Sequence, residues 1–169
     1  MRIKKTTSAI AFMMILSSAN AVADMRPHSL WDFISTMRKS LADTNVATLN
    51  RLPVTFWLKD QNEYINFYGA ENVAFSAAGR ATGIELRLSR DPYEKTLMFM
   101  FHWRGECLTR SEIKKHYPML TITDTPRGHS LDEVTSYTTP AGASGESVTF
   151  SFTAKMPDCL SDVIISREG

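Results

Sequence analysis

The strongest pattern in the chain runs from Ile84 to Cys107. Ile84, Leu86 and Leu88 alternate with Glu85, Arg87 and Ser89, the period-two signature of a strand buried on one side. Arg90-Asp91-Pro92-Tyr93-Glu94 then breaks the pattern. Asp91 can accept from backbone ahead of it and Pro92 has its φ already set, so these residues predict a turn. The return arm is apolar on both sides, with Leu97, Phe99, Phe101 and Trp103 on one and Met98 and Met100 on the other. Such a strand is expected at the centre of a sheet, covered on both faces and by a helix on one of them.

The flanking segments supply that helix and more strands. Leu30, Ile34, Met37 and Leu41 recur at helical spacing behind Ser29, a good N-cap, with Trp31 and Phe33 widening the stripe and Arg38 and Lys39 off it. A bend is expected near Asp43-Thr44-Asn45, with a brief helical resumption to Leu49. Pro53 should open a strand over Val54, Phe56 and Leu58. Lys59 to Glu63 reads as a turn, Tyr64 to Tyr68 as a return arm and Asn72 to Ala77 as a short third arm. Thr109-Arg-Ser-Glu112 is a capping box, in which each of Thr109 and Glu112 satisfies a free backbone donor of the other. It predicts a short helix through Tyr117, stopped by Pro118. Thr121 to Ser130 is polar and turn-rich, and Ser130-Leu-Asp-Glu133 is either a second capping box or the lead into a strand near Val134 to Thr139. Residues 140–145 form a loop by composition. Val148, Phe150 and Phe152, then Val163 and Ile165, complete the sheet. The order is helix, strands, short helix, strands, a faint twofold echo. The expected fold is α+β, a mostly antiparallel sheet with an N-terminal helix and a second short helix on one face.

Composition changes this picture at the N-terminus. Arg2, Lys4 and Lys5 precede a short apolar run, Ala9 to Leu16, and the small-x-small site Ala21-Val22-Ala23. This reads as a cleaved secretory signal over residues 1–23, leaving one globular domain over 24–169 of the 169 residues. The apolar run falls short of the roughly 20 residues of a membrane span, so no membrane anchor and a periplasmic destination are expected. Cleavage would take three of the 19 basic residues and none of the 18 acidic ones, leaving a slightly acidic chain without a basic run. Such a chain offers no support for nucleic-acid binding. In an exported chain the two cysteines, Cys107 and Cys159, are expected to pair and tie the two halves of the sheet together. With about fifty residues enclosed, loop entropy assigns such a bond roughly 4 kcal/mol as an upper figure.

Catalytic signatures are sparse. His28, His102, His116 and His129 show no zinc-ligand spacing, and no metal or cofactor is expected. His102 reads as a satisfied core residue on its apolar strand. Asp124, His129 and Ser130 lie close in sequence, but triad members normally come from separate elements that orient one another. The remaining chemistry is recognition. Asp124-Thr-Pro-Arg-Gly-His-Ser130 has a proline to stiffen it, a glycine for close approach and Arg127 for bidentate carboxylate contact. Asp124, Arg127, His129 and Ser130 are therefore the expected contacts with a protein partner.

An expected leader, a domain of this size, one disulfide and no catalytic motif resemble the small periplasmic immunity proteins that neutralise toxins attacking the cell wall. The helix-plus-meander echo, with Leu108-Thr-Arg-Ser-Glu-Ile-Lys-Lys-His-Tyr-Pro118 opening the second unit, is similar in outline to the tandem units of beta-lactamase-inhibitor and SmpA-type proteins. The resemblance implies a non-enzymatic inhibitor that acts by protein–protein contact on a secreted or envelope-targeted enzyme. Two other classes stay open: an envelope enzyme or ligand carrier with a site near His129 or His102, and an envelope assembly or stress factor.

Overall fold

The computed structural model describes residues 29–75, 79–91, 93–94 and 97–167. The expected leader, His28 and Pro92 lie outside the described residues. Helix α1, Leu30–Leu41, starts at Ser29, whose hydroxyl accepts from the Asp32 amide, and it buries Leu30, Phe33, Ile34, Met37 and Leu41. A 3-10 turn, Val46–Arg51, follows behind the Asn45–Thr48 capping box. Strands β1 (Phe56–Gln61), β2 (Ile65–Ala70), β3 (Val73–Phe75), β4 (Gly79–Ser89) and β5 (Leu97–Gly105) come next. Helix α2, Arg110–His116, then precedes β6 (Thr121–Asp124), β7 (Val134–Thr138), β8 (Glu146–Thr153) and β9 (Asp162–Arg167). The capping box at Thr109 and Glu112 forms as its spacing predicts, and it pulls the Glu112 carboxyl below its ordinary pKa through hydrogen bonds from Thr109.

The strands form one antiparallel sheet in the order β1-β2-β4-β5-β9-β8-β7-β6, with β3 paired to the first part of β4. The faint echo in the sequence is thus a repeat in space. Each half is a helix followed by an antiparallel meander, and the last strand of each, β5 and β9, meet at the centre. Cys107 and Cys159, just beyond β5 and just before β9, are bonded across that seam, with Cα atoms 4.8 Å apart. Backbone bonds from Trp103 to Ser161 (2.7 Å) and from Leu160 to Leu108 (2.9 Å) carry the pairing past the ladder to the disulfide.

One face of the sheet holds the core. Pleating puts Leu86, Leu97, Phe99, Phe101, Trp103, Val148, Phe150, Val163 and Ile165 on it, all buried. Phe33 of α1 packs its ring on Phe75, Phe99 and Phe101, and Tyr117 at the end of α2 packs on Phe150. Trp31 stacks on His116 at 4.1 Å, so the two helices touch on the same side. Polar clamps fix α1 to the second meander. Arg38 pairs with Glu146 of β8 at 3.3 Å. The buried Arg167 of β9 donates to the carbonyls of Leu41, Ala42 and Thr44 at the helix's C-terminal end, where a cation also meets the negative end of the helix dipole.

Three expectations need correction. Thr121 to Asp124, read as part of a turn, is strand β6, whose amides pair with β7 although every side chain is exposed. An edge strand exposed on both sides carries no alternation to read. Strand β1 starts at Phe56 instead of Pro53, and Leu58, on the core-facing side but at the sheet's outer edge, is half exposed. Met98 and Met100 are only half buried, because both helices lie on the opposite face. Both outer strands carry a register shift, at Leu58/Asp60 and Ile122/Asp124, the kind of kink that blunts a sheet edge against further strand pairing.

Replacing Phe33 by Ala removes the ring that α1 sets among three core aromatics, and the expected loss is about 3–5 kcal/mol in urea unfolding. Reducing the Cys107–Cys159 bond should lower stability by a further 2–4 kcal/mol or so, with the slope of the unfolding curve changed because the reduced denatured chain is less confined.

Candidate functional site

The alternation that buries the odd positions of β5 turns Met98, Met100, His102 and Arg104 to the other face. Register carries the same face across the sheet to Phe67 and Ile65 on β2, Trp57 on β1, and Asp162, Ile164 and Ser166 on β9. Among the described residues no helix covers it. It is divided into three zones of different chemistry.

The first zone is apolar and aromatic. Trp57, 47% exposed, sits opposite Gly69, and a Cβ built on Gly69 would lie 3.3 Å from the Trp57 ring and 2.6 Å from the Lys59 side chain. Glycine is therefore required there for these two side chains to lie flat across β2. Phe67 is half buried beneath the Arg87 guanidinium, 5.4 Å from the ring centre. Arg87 is held by Glu85 at 2.6 Å, and Lys59 reaches the same carboxylate at 3.8 Å. Met98, Met100 and Ile164 continue the apolar surface to the centre of the sheet.

The second zone is a histidine with a carboxylate. His102 Nδ1 is hydrogen-bonded to Asp162 Oδ1, directly across the β5–β9 pair. The imidazole lies over Gly83, whose φ of +58° shapes the bulge in β4 and whose missing Cβ would otherwise fall 2.7 Å from the ring. His102 was expected in the core, but its side chain is 43% exposed. Counting in twos from Met98 and Met100 puts it on their side of the strand, away from Phe101, and that count was the available signal.

The third zone is a ladder of paired hydroxyls over the second meander. Ser136 meets Ser151 at 2.9 Å, Thr138 meets Thr149 at 2.8 Å and Thr123 at 2.7 Å, and Ser147 meets Ser166 at 3.3 Å. Ser136 and Ser151 are buried, whereas Thr138, Thr149, Ser147 and Ser166 are half buried, and in each pair one hydroxyl donates while the other accepts.

The loop singled out from sequence lies beside this face. Asp124 stands at its β6 edge, opposite Ser136, and turns its carboxylate to the amide of Thr125. Asp124 and Arg127 come together with Asp132 and Glu133 around a shallow hollow of about 300 Å³, whereas His129 and Ser130 do not line it. No hydrogen bond among the described residues joins Asp124, His129 and Ser130, so their closeness in sequence does not assemble a triad. The organiser of the loop is Glu133, which the sequence offers only as the end of a candidate capping box. Glu133 accepts the backbone amides of Arg127 (2.5 Å), Gly128 (2.9 Å) and His129 (3.1 Å). Partial burial raises the Glu133 pKa, but these amides and that of Ser130 outweigh it and hold the carboxyl below its ordinary value. Ser130-Leu-Asp-Glu133 is accordingly a turn that leads into β7, with the Glu133 side chain directed back at the preceding loop and not at a helix start.

A larger cleft, about 480 Å³, lies between α2 and β7 and is lined by Arg110, Lys114, Tyr137 and Phe152. Arg110 donates to the Tyr137 hydroxyl at 2.9 Å and lies over its ring. Among the described residues no three of His, Cys, Asp and Glu are grouped to hold a metal ion, and no helix is long and apolar enough to cross a membrane. No protein family, curated protein or solved structure matches the chain.

Because Glu133 has a lowered pKa when folded, its contribution to loop order is complete above the usual carboxylate range and is lost as pH falls through that lowered value. In an amide-resonance titration, the Gly128 and His129 signals should move together with a midpoint below that of an ordinary glutamate. Glu133→Ala should abolish this step and quicken hydrogen exchange across 127–129, leaving the β5–β9 amides unchanged.

Proposed function

We propose that this protein is a periplasmic binding protein that inhibits a secreted or envelope-targeted enzyme, of the immunity type, by protein–protein contact. The observation that carries the reading is the helix-free face of the sheet. Trp57, Phe67, Met98, Met100 and Ile164 are spread across it on a backbone tied through the Cys107–Cys159 bond. An apolar and aromatic centre with polar surroundings is the make-up of a protein-docking surface, and its rigidity lowers the entropy lost on association. The Glu133-held loop, with Asp124 and Arg127, supplies polar contacts beside it. Cell-wall-degrading toxins are the proposed targets, and the proposed place of action is the periplasm.

A second reading rests on the His102–Asp162 pair. An imidazole oriented by a carboxylate on an accessible face is the arrangement of a general base. It predicts turnover of a cell-wall fragment or an ester that is lost in His102→Ala and kept in Trp57→Ala.

The two readings separate in one set of assays. The purified protein is tested for binding and inhibition against muramidases, amidases and endopeptidases that cleave peptidoglycan. Inhibition of one class near equal stoichiometry is expected. Trp57→Ala and Ile164→Asp should each weaken it by about 2 kcal/mol or more, roughly thirtyfold, with the melting temperature of Trp57→Ala unchanged. Failure to bind or inhibit any of the three classes would remove the inhibitor reading.

A further inference from the structure

One pair on the helix-free face conflicts with the stability of the sheet that carries it. Arg80 of β4 and Arg104 of β5 are direct cross-strand partners, and both are exposed. Like charges directly opposite each other in an antiparallel pair are destabilising. The register Thr82↔His102 beside them fixes their side, because Arg80 and Arg104 are each two residues from that pair and so share its face.

Two acidic groups of this face, Glu85 and Asp162, are already engaged with cations or imidazole. Glu85 holds Arg87 and Lys59, and Asp162 holds His102. Arg104 makes one bond, from a terminal guanidinium nitrogen to its neighbour's carbonyl, that of Trp103, at 3.2 Å. Among the described residues no carboxylate contacts either guanidinium. Residues 76–78, just before β4, are Ser-Ala-Ala and bring no acid by sequence. Two other arginines are matched by carboxylates, Arg38 by Glu146 and Arg87 by Glu85, while Arg90 donates to the Asn62 carbonyl and Arg110 to the Tyr137 hydroxyl. Arg80 and Arg104 are left as two opposed cations at one end of an apolar surface.

We propose that the Arg80–Arg104 pair is the electrostatic anchor of the docking face and receives a carboxylate side chain from an acidic, partly apolar segment of the partner protein. This rests on the reading of that face as a docking surface. Two guanidinium forks facing each other across a strand pair present donors to both oxygens of one carboxylate, and the bound charge cancels the repulsion between them. Met100 and Ile164, on the same face, then receive the apolar neighbours of that carboxylate. The pair also biases association towards partners with a negative patch and makes the encounter sensitive to salt.

The test uses the full protein and a blocked peptide of alternating glutamate and leucine, followed by amide and side-chain resonances. A glutamine-for-glutamate peptide and inorganic phosphate, at matched ionic strength, are the comparison probes. The expected result is movement of Arg80, Thr82, His102 and Arg104 together with Met100 and Ile164 on adding the glutamate peptide. Affinity should fall at least tenfold with the glutamine peptide and at least tenfold in the Arg80→Ser/Arg104→Ser variant. That variant should melt no lower than the parent, since it loses a repulsive pair. Movement of Met100 and Ile164 with the arginines silent would overturn the anchor and leave the docking face standing. Silence across the whole face would overturn both. Phosphate moving the arginines as strongly as the peptide, with Met100 and Ile164 still, would reassign the pair to a free anion and overturn the proposal.

Discussion

The antiparallel pairing of β5 with β9 is the constraint from which the remaining geometry follows. It is the only ladder that joins one meander to the other among the described residues, and it runs from Leu97↔Arg167 to His102↔Asp162. Its inward side chains, Phe99 against Ile165 and Phe101 against Val163, form the centre of the core. Its outward ones, Met100 against Ile164 and His102 against Asp162, form the centre of the open face. The disulfide closes one end of the seam. Arg167, at the other end, reaches up to the last carbonyls of α1. A helix of the first half is thereby locked onto a strand of the second, and the two halves share one core.

Such a one-sided design has a direct consequence for function. A sheet with helices on one face leaves the other to water or to a partner. In this chain that face is not uniformly polar. It passes from Trp57 and Phe67, through Met100 and Ile164, to a field of hydroxyls that bond to one another. The hydroxyl half is polar and the other half apolar, so the free energy to be gained by removing apolar surface from water lies on the β1–β2–β4 side of the face and at the seam. The bulges in both outer strands disfavour association by strand addition, which leaves the face, and not the edge, as the surface for a partner.

Much of this was legible from the amino-acid sequence where periodicity was strong. The twelve residues of α1, the capped start of α2 and the β4–β5 hairpin follow from spacing, and the pairing of the cysteines agrees with what an exported chain would be expected to form. What escaped falls into two physical classes. Strand β6 is exposed on both sides and shows no alternation, so only its backbone partners define it. The site depends on long-range register: nothing local says that His102 will face Asp162, sixty residues on, or that Arg80 will stand across from Arg104. Glu133 is a third kind of case. Its type and position suited a helix cap, and the structure uses the same acceptor chemistry on a loop instead.

The open face is one rigid surface only if the two meanders behave as a single cooperative sheet joined at β5 and β9. Native-state hydrogen exchange, followed residue by residue in rising denaturant with the disulfide intact, tests this directly. The amides of Phe99, Phe101, Val163 and Ile165 should be the slowest in the molecule and should share one opening free energy, equal to that of global unfolding. Exchange of β6 to β9 as a separate unit, at a lower free energy than β4 and β5, would contradict it.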